Sequence, residues 1–324
     1  MLGHQQVTSS TFCSTLLEKL KAKFSETLAS EVEEALNIKL SCSNILKSYT
    51  PYPRFVPISI TGSRCELLCK HCQGHYLSQM IPAETPEKFL AVIEKLAKKD
   101  VKGILVSGGF DRSGKLPFRR FVSVIKKAKL LGFTVAIHAG LLSDKDVEEL
   151  CQTEVDATLV DVIGDDQTIS EILGLGARAE DFFNTVVRLK ESGLFVAPHI
   201  VIGLNHGILR GEFKALQFLS NVGTEALSLL VYVPTPNTPS ALDAPPKLED
   251  IVRVAAQARR ILRTAHLTLG CMRPRGWYRT LIEQAMVLCG VDGVVNPSFN
   301  TIALAKDIGL RVRKVEGCCV FKSL

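Results

Sequence analysis

The sequence predicts an α/β protein: a (β/α) barrel of TIM type, full or nearly full, behind an N-terminal helical extension. Three observations predict it. Short apolar runs alternate with amphipathic helical runs from about residue 55 onward. The apolar runs lack polar alternation, as strands buried on both faces do. The chain has 324 residues, a length that such a barrel fills as one domain.

Residues 11–47 read as helical, because LLEKLKAKFSETLASEVEEAL carries apolar residues at three- and four-residue steps. Pro51 and Pro53 break that run. Residues 1–54 are therefore expected as the helical extension, and 55–324 as the barrel with a cysteine-containing tail. PISITG (57–62) is the first strand. TPEKFLAVIEKLAKK (85–99) is its helix, with Thr85 as N-cap and Pro86 at the first helical position. VKGILVSGG (101–109) and PFRRFVSVIKKAKLLG (117–132) repeat the pair. FTVAIHAG (133–140), DATLVDVIG (156–164), FVAPHIVIG (195–203) and ALSLLVYVPTP (226–236) are the next four strands, each followed by a helical run. HLTLGC (266–271) with WYRTLIEQAMVL makes a seventh unit, and VDGVVNP (291–297) with TIALAKDIG an eighth. No short-period repeat, low-complexity tract or linker interrupts the series.

Composition narrows the function. With 46% hydrophobic and 22% charged residues the chain is an ordinary globular sequence. Its net charge of +6 is spread along the chain, apart from short groups such as RVRK at 311–314. No basic stripe argues for a nucleic-acid partner. No window reaches the ~20 apolar residues of a membrane span, and MLGHQQVTSSTFC lacks the form of a signal peptide. A cytoplasmic protein is expected. Its ten cysteines then read as ligands or buried thiols rather than disulfides.

In such barrels the chemistry sits where strands end and loops begin. GSRCELLCKHCQG (62–74) places Cys65, Cys69 and Cys72 after the first strand. Gly108 and Gly109 follow the second, His138 ends the third, and Asp161 and Asp165 end the fourth. His199 lies in the fifth, Pro234-Thr235-Pro236 follow the sixth, and Cys271 ends the seventh. Zinc usually takes four closed ligands in two close pairs, and here a fourth at that spacing is missing. His71 and His75 still leave a Cys3His set open. Three thiolates on one loop suit a cubane iron–sulfur cluster, holding three irons and leaving the fourth for a small-molecule ligand.

This spacing, C-x3-C-x2-C after the first strand of a (β/α) barrel, resembles the radical S-adenosylmethionine (SAM) superfamily. The resemblance spans most of 55–300 and is closest to the biotin synthase-like branch. It implies a 4Fe-4S cluster on Cys65, Cys69 and Cys72, with SAM on the open iron. SGGF (107–110) matches the family's Gly-Gly-Glu segment, with Phe110 in place of Glu, which puts Gly108 and Gly109 at the methionine end of SAM. Asp161 is expected at the ribose in preference to Asp165. HIVIGLNHG (199–207) is similar to the adenine-contacting strand, through Val201 and Gly203, although His199 replaces its first glycine. VYVPTPNTP (231–239) resembles the Pro-rich segment of the same branch.

The tail adds thiols. LGCMRPRGWYR carries Cys271 beside Arg273 and Arg275, and EGCCVF carries Cys318 and Cys319. These three, with Cys13 or Cys42 as further candidates, are read as ligands of an auxiliary iron–sulfur cluster; Cys151 and Cys289, in helical runs, read as buried small hydrophobes. The pattern resembles the two-component lipoyl synthase proteins of archaea and some bacteria. That resemblance implies sulfur insertion into a protein-bound octanoyl chain. The partners it implies are a ferredoxin- or flavodoxin-type electron donor, a second radical SAM protein and an octanoylated lipoyl carrier protein. The alternatives are another biotin synthase-like reaction (a mutase, methylase or cofactor-assembly step) and a zinc-stabilised binding protein. His138, His199 and Arg275 are expected near the substrate, with none assigned as a proton carrier.

Overall fold

The computed structural model describes residues 24–322 and begins with helix α1 (Glu26–Cys42). Ser25 caps it, its Oγ accepting the Leu28 N–H at 3.3 Å. The run expected to stay helical to residue 47 stops earlier. Ser43 turns extended, and Ile45–Tyr49 becomes strand β1. The part of that expectation on residues 11–23 lies outside the described residues. Then follow β2 (Phe55–Ser59), the two-residue β3 (Ile81–Pro82), α2 (Pro86–Ala97), β4 (Gly103–Ser107), α3 (Val122–Leu130), β5 (Thr134–His138), α4 (Asp144–Cys151) and β6 (Ala157–Asp161). The second half adds α5 (Ala179–Glu191), β7 (Val196–Ile202), α6 (Glu212–Asn221), β8 (Ala226–Val231), α7 (Leu248–Ile261) and β9 (His266–Leu269). It ends with α8 (Trp277–Leu288), β10 (Gly293–Val295), α9 (Phe299–Asp307) and β11 (Arg311–Val315). Helix α2 starts as its sequence dictates, with Thr85 Oγ1 accepting the Lys88 N–H and Pro86 in the first turn.

All the strands join one eleven-stranded sheet, ordered β3-β2-β4-β5-β6-β7-β8-β9-β10-β1-β11. Every pairing is parallel. The eight expected strands are β2 and β4 to β10, and they lie side by side in sequence order. The N-terminal segment is more than a helical extension, because β1 inserts between β10 and β11. Strands β11 and β3 are the two ends of the sheet, so the (β/α) barrel is left open along one seam.

Two layers of core result. Outside, strand residues such as Ile104 and Val106 pack against helix residues such as Phe89 and Ile93, all fully buried. Inside, near the N-terminal ends of the strands, Phe55, Ala136, Ala157, Leu159, Ala197 and Ala226 surround Val320 and Phe321. The tail thus fills the bottom of the lumen. Phe321 stands 6.1 Å from Phe55, ring centre to ring centre, and its carbonyl accepts from Tyr49 Oη at 2.8 Å. Helix α1 is locked on by a buried charge group: Lys39 Nζ reaches Asp292 Oδ1 at 2.7 Å, and Arg259 reaches the other carboxylate oxygen at 2.5 Å. Among the described residues, no helix is long and apolar enough to cross a membrane.

Candidate active site

The loop after β2 is folded by its backbone. Glu66 and Leu67 donate their N–H groups to the Phe110 carbonyl at 2.9 and 3.2 Å, and Lys70 donates to Ile172 at 2.8 Å. The loop therefore hangs from the end of β4 on one side and from the helical turn after β6 on the other. Leu68 and Gln73 take positive φ, and the Gln73 side chain returns to the Leu68 carbonyl at 2.6 Å. The glycine at position 109 has a clear cause here. A Cβ on Gly109 would stand 2.1 Å from the Arg64 carbonyl oxygen and 2.4 Å from Cys65 Cα. The sequence reading tied this glycine to ligand approach; in the fold it first admits the cysteine loop. The carbonyl of Phe110 has a related job, accepting from that loop.

Cys65, Cys69 and Cys72 line one cavity of about 200 Å³ at the C-terminal end of the strands, with Gly108 and Gly109 on its wall. The ligating atoms of Cys69, His71 and Cys72 lie within 4.8 Å of one another. Cys65 Sγ lies 3.8 Å from the Phe110 carbonyl oxygen on the same wall. The Cys72 thiol is pulled down to about 4, first by its hydrogen bond with Cys69 and further by His71. That same bond, with burial, pushes the Cys69 thiol well up. Of the two, Cys72 is the readier thiolate, while Cys69 would give up its proton only to a metal. His71 Nδ1 is buried without a hydrogen-bond partner, so the loop also carries an unspent nitrogen.

Opposite the loop, Asp161 ends β6 and faces the cavity, flanked by His138 and His199. Burial pushes the Asp161 carboxyl up, but the neighbouring His138 overcomes this and holds it at about 2. Burial takes His199 down to about 4. For His138 burial acts the same way, but Asp161 outweighs it and the net shift is upward. Asp165 is elsewhere: its carboxylate caps the next helical turn, accepting from the Thr168 N–H at 2.8 Å and the Thr168 hydroxyl at 2.7 Å. Of the two, Asp161 lines the cavity and Asp165 does not. Val201 lines the cavity. Gly203 stands outside the lining; its bare Cα accommodates Pro246, whose Cγ a Cβ would meet at 2.3 Å. Tyr76 was not anticipated. It lines the cavity and joins Thr235 of the Pro-rich segment, Oη to Oγ1, at 2.9 Å. Its signal was its place, four residues past Cys72 on the same loop.

The other thiols separate. Cys318 and Cys319 enter the lumen with the tail, and Cys319 Sγ lies 3.5 Å from Ser228 Oγ, itself 2.8 Å from Thr268 Oγ1. Their mutual hydrogen bond pushes Cys318 up and brings Cys319 down to about 7. Cys271 is exposed by area yet hemmed in by protein, and that crowding, then the charge of Cys319, pushes its thiol up. The three sulfurs feel one another, but among the described residues they do not form a set mutually within 4.8 Å. Cys42 is outside the site, on the outer surface against the Arg263 carbonyl at 3.8 Å, and Cys13 lies outside the described residues. Cys151 and Cys289 pack in the outer core, as expected. Arg273 is structural, paired with buried Glu283 at 2.6 Å, and exposed Arg275 does not line the cavity.

Comparison with known proteins agrees with this geometry. The profile of the radical SAM superfamily matches residues 59–216. The chain is 25% identical over 281 residues to the biotin synthase of Synechococcus elongatus, covering 81% of this chain and 85% of that one. Among solved structures, the [FeFe]-hydrogenase maturase HydG superposes with a TM-score of 0.64 at 15% identity, over 89% of this chain and 68% of that one. Methylornithine synthase (PylB) superposes with a TM-score of 0.60 at 15% identity, over 90% of this chain and 83% of that one. A Cys3His zinc set would use the same loop, with His71 as fourth ligand, but the family decides between the two metals. Residues 59–216 match the radical SAM superfamily and most of the chain is similar to biotin synthases, which supports a 4Fe-4S cluster and SAM as its cofactors.

Proposed function

We propose that this radical SAM enzyme inserts sulfur into a C–H bond of a protein-bound octanoyl chain, as one component of a lipoyl synthase. The observation that carries the reading is the second group of thiols. Cys318 and Cys319 are lodged in the lumen, with Cys271 in electrostatic reach, on a protein whose radical chemistry needs only the first three. An auxiliary iron–sulfur cluster on these three would be the sulfur source. Its partners are an electron donor of ferredoxin or flavodoxin type, a second radical SAM protein and the octanoylated carrier.

When bound, the cluster and SAM supply an electron and a 5′-deoxyadenosyl radical able to take hydrogen from an unactivated carbon, which side chains cannot do. The chain's own residues do the rest. Cys65, Cys69 and Cys72 hold three irons from one loop. Gly108 and Gly109, on the cavity wall, would lie beside the methionine end of SAM. Asp161, ionised, would accept from the ribose hydroxyls, and Val201 would pack against the adenine. Leu67, Ile163, Leu173 and Leu204 give the cavity an apolar stretch of wall that would keep water from a reactive radical.

The test is anaerobic reconstitution followed by incubation with SAM, a reductant, the octanoylated carrier and candidate partner proteins. The expected product is carrier whose octanoyl chain has gained one sulfur atom, by mass spectrometry. SAM cleavage with no thiolated product under any partner combination would favour another biotin synthase-like reaction. That second reading has its own support, since the tail sulfurs do not form a tight set.

A further inference from the structure

The same strands that line the SAM cavity carry a cluster that the proposed chemistry uses only in part. His138, Asp161 and His199 each present one ligand atom, and all three atoms lie within 4.8 Å of one another. His138 Nε2 is 3.2 Å from Asp161 Oδ2, and His199 Nδ1 is 3.9 Å from Asp161 Oδ1. His138 Nε2 is buried and off the line of any hydrogen bond, despite that short distance. No hydrogen bond holds His199 either at 3.9 Å. Two nitrogens and a carboxylate converge, with His138 in ion-pair contact with Asp161 and His199 farther out at 3.9 Å.

Register explains the convergence. Asp161, His199, Ser228 and Thr268 are directly opposed on β6, β7, β8 and β9. His138 joins from β5, its ring 5.7 Å from that of His199 and edge-on to Phe110 at 5.4 Å. Around a tetrahedral ion with bonds of about 2.0–2.1 Å, neighbouring donor atoms sit roughly 3.3 Å apart. The two measured edges need shifts of less than about an ångström to meet that value. Two imidazoles and one carboxylate on one side, with open positions on the other, form the ligand set of mononuclear divalent transition metals.

We propose that His138, Asp161 and His199 form a mononuclear site for a divalent transition-metal ion, occupied when SAM is absent. The donor set separates this ion from the cysteine centres, because manganese prefers nitrogen and oxygen ligands where iron–sulfur sites use thiolates. On the proposed role of Asp161 at the ribose, on which this part rests, ion and SAM oppose each other, and the coupling is reciprocal.

The experiment uses the reconstituted holoenzyme with its cluster oxidised and diamagnetic. Manganese(II) chloride is titrated anaerobically, and free ion is read from its electron paramagnetic resonance signal. The expected result is saturation at one ion per chain. Binding weakens at least about tenfold in His138→Asn and in His199→Asn, the scale of lost metal-site contacts, with the iron content of the triplet unchanged as the check on folding. Saturating SAM weakens binding to wild type by a similar factor, a reading that needs no variant. Stoichiometric binding unaffected by both substitutions, binding equally tight beside saturating SAM, or no saturable binding to wild type would each overturn the site.

Discussion

Two groups of thiols sit about one lumen, and they are built in opposite ways. Cys65, Cys69 and Cys72 ride on a single loop that backbone hydrogen bonds to Phe110 and Ile172 hold in shape. Cys318 and Cys319 arrive on the tail, held by the packing of Val320 and Phe321, and their third member, Cys271, comes from a different strand end. In each group a hydrogen bond between two thiols lowers one of them, Cys72 beside Cys69 and Cys319 beside Cys318. The triplet lies within one local segment and opens on a cavity. The second group needs the whole sheet to bring it together. A local centre survives changes far from it; a dispersed centre depends on everything between its parts.

The largest predicted effect tests that contrast directly. Cys72→Ala should lower 5′-deoxyadenosine formation to below about one-hundredth, because only thiolates on this loop leave an iron open to SAM. Cys319→Ala should leave SAM cleavage within about threefold of wild type while abolishing any thiolated product. Equal losses of cleavage in the two variants, measured by chromatography, would break the distinction between the groups.

A smaller effect sharpens it through stability. Phe321 is nearly buried against Phe55. Phe321→Ala should cost about 3 kcal/mol, at the low end for a buried ring because a tail can partly re-pack. The measurement is a urea midpoint on the cluster-free protein. A midpoint unchanged from wild type would mean that the tail does not hold the bottom of the lumen.

The smallest effect is on pH. His266 is buried beside the tail, bonded to Tyr49 Oη at 2.9 Å, and burial takes it down to about 4. The unfolded chain then binds the extra proton below about pH 6.5 while the folded chain resists it until about pH 4. Stability from this group is complete above pH 6.5 and lost as pH falls, by about 2 kcal/mol between pH 7 and 5. His266→Gln should flatten that slope by the same amount. A slope that stays as steep in the variant would place the acid sensitivity elsewhere.

Legibility in the sequence follows the same divide. The eight strands β2 and β4 to β10 were readable because each is a continuous apolar run set between helical periods. Strand β11 was not, because RVRKV lies at a sheet edge with exposed charges and reads as a solvated basic run. Strand β1 was absorbed into a helical pattern, since ILKSY follows α1 after only two residues. The triplet was legible from spacing. Asp161 was separable from Asp165 by its nearness to the strand end. The pairing of His138 and His199 around Asp161 was not, because it depends on strand register rather than on spacing along the chain. Gly203 matched a family position, but its bare Cα is explained by packing against Pro246.

The opposed rung of Asp161, His199, Ser228 and Thr268 has a further consequence. Side chains in a strand alternate sides, so inserting or deleting one residue within β6, β7 or β8 would turn its rung member from the hollow centre out toward the helices. The count of residues inside each strand is therefore fixed by what must point inward. Length, rather than side-chain identity alone, is the quantity an engineer must leave untouched here.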